Sequence, residues 1–192
     1  LYSSAASDVY KRQNMISGVA NKVTNSNGAI VMGAGNSIKN SSAAFDTSAY
    51  STPYNSVATM QKALMDGVAR SAGGSTLAIG GANAAEYTQA SQLIGVGNTL
   101  TGKSGNVSKY NMLDGYKNKA SNVQHVSVIG SENNVTNTNG AVVFGDKRTL
   151  TGADGSIVIG SSANGTATSV KNAIAIGSET NVTVAGGVAL GS

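Results

Sequence analysis

The chain has 192 residues with 25 Gly, 1 Pro, 2 Phe, no Cys and no Trp, and only 11% of its residues are charged against roughly 25% in ordinary globular domains. The missing cysteine excludes disulfides and thiolate metal sites, while a net charge of +4 without a basic run names neither nucleic acid nor a membrane surface as partner. A core of Ala, Val, Ile and Leu with almost no large aromatics suits thin stacked layers, and no apolar run approaches the ~18 residues of a membrane-spanning helix.

In chain order, "LYSSAASDVYKRQ" (1–13) shares nothing with the rest of the chain, lacks an initiating Met and reads as a disordered fusion or adapter scar outside the fold. From residue 14 a repeat begins. The segments "AIVMG", "TLAIG", "LIGVG", "VSVIG", "AVVFG", "SIVIG", "AIAIG" and "GVALG" are short β-prone runs closed by glycine. "NMISGVANKV" (14–23) and "NMLDGYKNKA" (111–120) are degenerate versions of the same unit. The glycines closing the units are Gly18, Gly33, Gly80, Gly97, Gly115, Gly130, Gly145, Gly160, Gly177 and Gly191, evenly spaced to within a few positions except for the long step from Gly33 to Gly80. A longer duplication, "NKVTNSNGAIVMG" (21–33) against "NNVTNTNGAVVFG" (133–145), places the match beyond coincidence.

Within each unit, apolar residues stand three and one before the glycine, as with Ile30 and Met32 or Ile157 and Ile159, so they share one face of a strand. The residue between them, such as Val31, Val143 or Ala175, is also apolar or small, which predicts a strand buried on both faces. Asn36 with Ile38, Asn133 with Val135 and Thr180 with Val182 then predict a turn and a second short strand with one buried position. The unit is thus one coil: strand, glycine turn, strand and return. Stacked in parallel at about 4.8 Å, ten or eleven coils make a rod roughly 50 Å long. The apolar stripe left on its side predicts association along its length.

The long step interrupts the repeat over about 39–72. Residues 39–55, rich in Ser, Ala and Tyr with Pro53, read as a loop. Val57, Met60, Leu64 and Val68 at helical spacing predict a short amphipathic helix over 56–71, stopped by Gly73 and Gly74; the competing reading takes "ALMDGVARSA" as another degenerate coil around Gly67. Tyr50 and Tyr54 are candidate ligand anchors in this excursion. Further along, "GNTLTGKS" (97–104) matches the phosphate-cradling pattern G-x-x-x-x-G-K-S, but Gly105 and Asn106 stand where its helix should begin. "TLTGKSG" (99–105) also returns as "TLTGADG" (149–155), with Ala153 and Asp154 replacing Lys103 and Ser104, so no nucleotide is expected. Lys103, Lys109, Lys117 and Lys119 against Asp114 form a modest basic stretch, a candidate contact for acidic glycans or matrix. His125 is the single histidine and reads as a residue beside a strand, which leaves little material for a His-based metal site or a catalytic triad. The expectation is a non-enzyme without cofactor or metal.

At "NAIAIGSETNVTVAGGVALGS" (172–192) the repeat resembles the head of the trimeric autotransporter adhesins, the YadA-like family, over about 14–38 and 75–192. The resemblance implies a left-handed parallel β-roll, three chains packed side by side into a homotrimer, and exposure on the outer surface of a Gram-negative bacterium. It further implies multivalent binding to a host or other cell surface, or to extracellular-matrix protein or glycan. In that family a coiled-coil stalk and a C-terminal barrel make the only link to the membrane; neither is in this sequence, which stops at Ser192 in mid-repeat. The alternative function is a structural spacer within such a fibre.

Overall fold

A computed structural model describes residues 14–43, 48–50, 53–71 and 76–191. The reading of 1–13 as a disordered scar lies outside the described residues. The chain winds as a parallel β-solenoid, and equivalent residues of adjacent coils are 15 apart at most steps, as Asn83 and Asn98 are. Its first strands, Met15–Val19, Ile30–Ala34, Thr76–Gly81, Ser91–Val96, Met112–Tyr116, Ser127–Ser131, Val142–Phe144, Ile157–Ile159, Ile174–Ile176 and Val188–Leu190, form a ten-stranded sheet in that order. Its second strands, from Lys22–Thr24 to Thr166–Thr168, form an eight-stranded sheet. On a third side, Thr88–Gln89 pairs with Ser108–Lys109, and single bridges run on through Gln124 to Asn139.

The core lies between the sheets. The middle residues of the first strands, Val31, Leu93, Leu113, Val128, Val143 and Val158, are fully buried, as are Ile38, Leu100, Val135 and Leu150 from the second strands. Each inward position repeats every coil, so side chains stack on their own equivalents in the next layer and fill the interior without large aromatics.

Two further columns fit the close spacing of the layers. Glycine meets glycine in register, as Gly18 with Gly33, Gly33 with Gly80 and Gly115 with Gly130. Gly80 pairs with Gly95, and Gly95 with Gly115. Gly95 therefore replaces Gly97 in the expected series. The reason is the residue three places on: Asn98 follows Gly95 at the distance that Asn83 follows Gly80 and Asn118 follows Gly115, and these asparagines are bonded to each other across steps of 15 and 20. Gly97, at φ +71°, holds the corner that Gly35, Ala82 and Lys117 hold in other coils.

The asparagine column runs through Asn21, Asn36, Asn83, Asn98, Asn118 and Asn133. From Asn21 to Asn118, each Oδ1 accepts from the backbone N–H and the Nδ2 of the next asparagine, for example Asn83 onto Asn36 at 3.0 Å for both bonds. Each Nδ2 also donates to the carbonyl of the glycine one layer on, as Asn118 to Gly130 at 2.7 Å. An otherwise costly buried amide is thus satisfied at every atom.

The long step, 47 from Asn36 to Asn83 as from Gly33 to Gly80, carries far more chain than one coil needs. It contains the helix Val57–Ser71, as expected, and Gly67 lies inside that helix, so the alternative reading as another coil falls. Ser56 caps its start, with its Oγ accepting from the Thr59 N–H at 3.1 Å. The apolar stripe is shifted from the expected one: Ala63 and Gly67 are buried, Met60 and Leu64 half-buried, and Val57 is exposed. The side chain of Val68 lies outside the described residues. The excursion is tied at its root, where the Thr88 hydroxyl meets both Ser41 Oγ and Thr76 Oγ1 at 2.9 Å.

A Cβ at Gly130, where φ is +134°, would stand 1.9 Å from the Gly145 carbonyl oxygen, whereas one at Gly140, at φ +65°, would meet nothing within 4 Å. Gly130→Ala should cost about 3 kcal/mol or more and Gly140→Ala about 1–2 kcal/mol, measured by urea denaturation; equal losses would contradict the close approach of the layers.

Candidate functional site

The first strands place one side chain in the core and turn its two neighbours outward. Over ten strands this makes an outer face with two outward positions per layer. All are Met, Ile, Leu, Val or Phe except Ser17, Gln92, Asp114 and Ser127. Phe144 is 54% exposed and Leu190 72%, and Ile30, Met32, Ile129, Val142, Ile157, Ile159 and Ile176 are exposed beside them. The expected leftover stripe is therefore present and open to solvent, and it is formed by the residues three and one before each glycine, while the residue between them faces the core.

The expected contact residues do not gather in one place. Tyr50 is half-buried and its hydroxyl donates to Asp66 Oδ2 on the helix, so it braces the excursion. That hydroxyl, with the Lys62 ammonium at 3.2 Å, holds the Asp66 carboxyl below the usual range. Tyr54 is half-buried. Lys103 is exposed at a tight reversal in which its N–H and that of Asn106 donate to each other's carbonyls at 3.0 Å. Lys109 sits on the third side of the coil, in Ser108–Lys109. Lys117 stands at a corner with its ammonium 4.9 Å from the centre of the Tyr116 ring, and the Tyr116 hydroxyl first, then Glu132, raises its pKa. Lys119 opens a strand of the second sheet. Lys117 and Lys119 border a shallow depression of about 300 Å³ with Glu132, Asn133 and Asn134.

The phosphate-loop pattern is absorbed by the coil. Gly97 is a corner residue, Thr99–Thr101 is a second-sheet strand, and the residues after Lys103 reverse direction where a helix would be needed. The amide groups that should converge on phosphate are spent on carbonyls, with Gly102 N–H donating to Glu86 at 2.8 Å. His125 is a corner residue whose ring stacks on Tyr110, centroids 4.8 Å apart. Among the described residues, no group of three or more His, Cys, Asp or Glu could hold a metal ion, and no helix is long and apolar enough to cross a membrane.

Sequence reasoning passed over Arg148. It occupies the asparagine column directly after Asn133, whose Oδ1 accepts its N–H at 2.9 Å, and its side chain is fully buried. The guanidinium donates through Nη2 to the Thr180 carbonyl, whereas Nε and Nη1 make no hydrogen bond. Burial lowers its pKa and Glu179 opposes that shift. Glu179 takes an N–H from Ala163 and hydroxyls from Ser162 (2.7 Å) and Thr166 (3.0 Å). The available signal was an Arg three residues after a ladder glycine, where the preceding coils carry Asn.

Glu179 is held below its usual range chiefly by the Ala163 amide, then by Ser162 and Thr166. A depressed carboxyl contributes stability above its unfolded value of about 4.3 and loses it as pH falls through the folded value. The urea midpoint should therefore fall between about pH 5 and pH 3, and Glu179→Gln should flatten part of that fall; an unchanged pH profile would contradict the assignment.

Comparison of the chain with family models, with curated proteins and with solved structures returns no match.

Proposed function

We propose that this chain is a head segment of a bacterial surface adhesin of the trimeric autotransporter kind, a left-handed roll that works as a homotrimer by multivalent, non-catalytic binding outside the cell. The observation that carries this reading is the outer face of the ten-stranded sheet. Nine layer spacings of about 4.8 Å and an outward width of roughly 10 Å give a strip on the order of 450 Å² before side-chain relief. An apolar patch of that size on a single chain is often a contact surface. Three copies sharing this face would hide it and leave the second sheet, the corners and the excursion facing outward in triplicate. Weak contacts made three at a time reach useful avidity without a deep pocket. The binding partner in this reading is a host or bacterial cell surface, or a matrix protein or glycan, and the resemblance of the repeat to YadA-like heads supports it.

Light scattering and sedimentation of the chain at micromolar concentration should give a trimer mass. Ile159→Glu, at an exposed position, should shift it to monomer with the same circular dichroism spectrum; a stable monomer for the parent chain would overturn the reading.

The spacer reading draws on the shallowness of the depression beside Lys117 and on the scattered placement of the candidate lysines. Assembled trimers tested on arrays of matrix proteins, acidic and neutral glycans and bacterial cells are expected to bind at least one class in the high-micromolar to nanomolar range. Silence across all of them would favour the spacer.

A further inference from the structure

Among the described residues, the outward positions of the ten-stranded sheet carry one charge, Asp114. It lies in register with Ile94 on one side and Ile129 on the other. The outward residues of the flanking strands, Gln92, Ile94, Ser127 and Ile129, bring no titratable group, and Met112 is its outward neighbour on its own strand. On its own strand the titratable neighbour is Tyr116, which ends it, and beyond lie Lys117 at the corner and Glu132 one layer on; the Lys117 ammonium lies over the Tyr116 ring. Within the face, then, the carboxylate has no countercharge.

Copies packed about an axis parallel to the rod keep equivalent residues at equal heights, so residues nearest the axis meet their own equivalents. We infer that in the assembled protein the Asp114 carboxylates converge at mid-rod and make association proton-sensitive, weaker at neutral pH and tighter in mild acid. This rests on the assembly reading above. Carboxylates brought together away from water bind protons more readily than separate ones in solution, so the assembled form takes up protons and is favoured as pH falls. The sign is diagnostic. The chain carries +4 at pH 7, and acidification adds positive charge elsewhere, which by itself would push copies apart.

Association constants from sedimentation equilibrium at pH 7.5, 6.0 and 5.0 in matched salt provide the test, on the parent chain and on Asp114→Asn, which keeps the shape and removes the charge. The parent should associate at least ~10-fold more tightly at pH 5.0 than at 7.5. Asp114→Asn should associate more tightly than the parent at pH 7.5 and lose the acid enhancement. Assembly of the parent that is flat or weaker in acid, or an Asp114→Asn profile that tracks the parent, overturns this inference and leaves the assembly reading standing. Monomers of both chains at every pH overturn both.

Discussion

At the glycine column the backbones of neighbouring layers approach so closely that a single methyl group would reach within about 2 Å of the next carbonyl oxygen. The hydrogen bonds of the parallel ladders set the layer spacing, only glycine fits at this column, and the other columns are built to that spacing. The asparagine amides can bridge from one layer to the next only because the layers stay at hydrogen-bonding distance. The inward aliphatics can be small because each has its equivalent directly above and below. The rows on the outer face have the same origin, since strict register sets each outward residue beside its equivalent in the next layer.

Much of this was legible in the sequence because a near-constant period repeats both the strand and its closing glycine. Alternation then divided each strand into two faces, and the structure shows which of them turns inward. The error at Gly97 shows where that signal ends. "LIGVG" contains two glycines, and a pattern of apolar residues before a glycine fits either. Only the asparagine three places on, bonded to Asn83 and Asn118 in the adjacent layers, selects Gly95. In the helix, spacing identified the element but misplaced part of its buried stripe, because Ala63 and Gly67 are too small to register as an apolar face.

The candidate contact residues were far less legible. Tyr50 reads as an aromatic in a loop, and nothing in its neighbourhood announces that the distant Asp66 takes its hydroxyl. The four lysines look like one stretch on paper, but the chain turns corners at Tyr110 and Lys117 in that distance, which puts Lys109 on the third side, Lys117 at a corner and Lys119 on the second sheet. Arg148 and Asp114 are the opposite case. Each breaks a column rule visible in the sequence, one placing a cation among buried amides and the other an anion among aliphatics, and each departure gains meaning only once the columns are known.

The three-hydroxyl knot of Ser41, Thr88 and Thr76 brings together the points where the chain leaves the rod and rejoins it. Because the root is already closed, lengthening the segment between adds only the slowly growing entropy of a longer loop, and the layers on either side keep their register whatever it contains. The excursion is thus a docking port in the architectural sense: a place where natural variation, or a grafted peptide, can be exchanged without renegotiating the stack. In a three-fold assembly, every such graft would be displayed three times at one height.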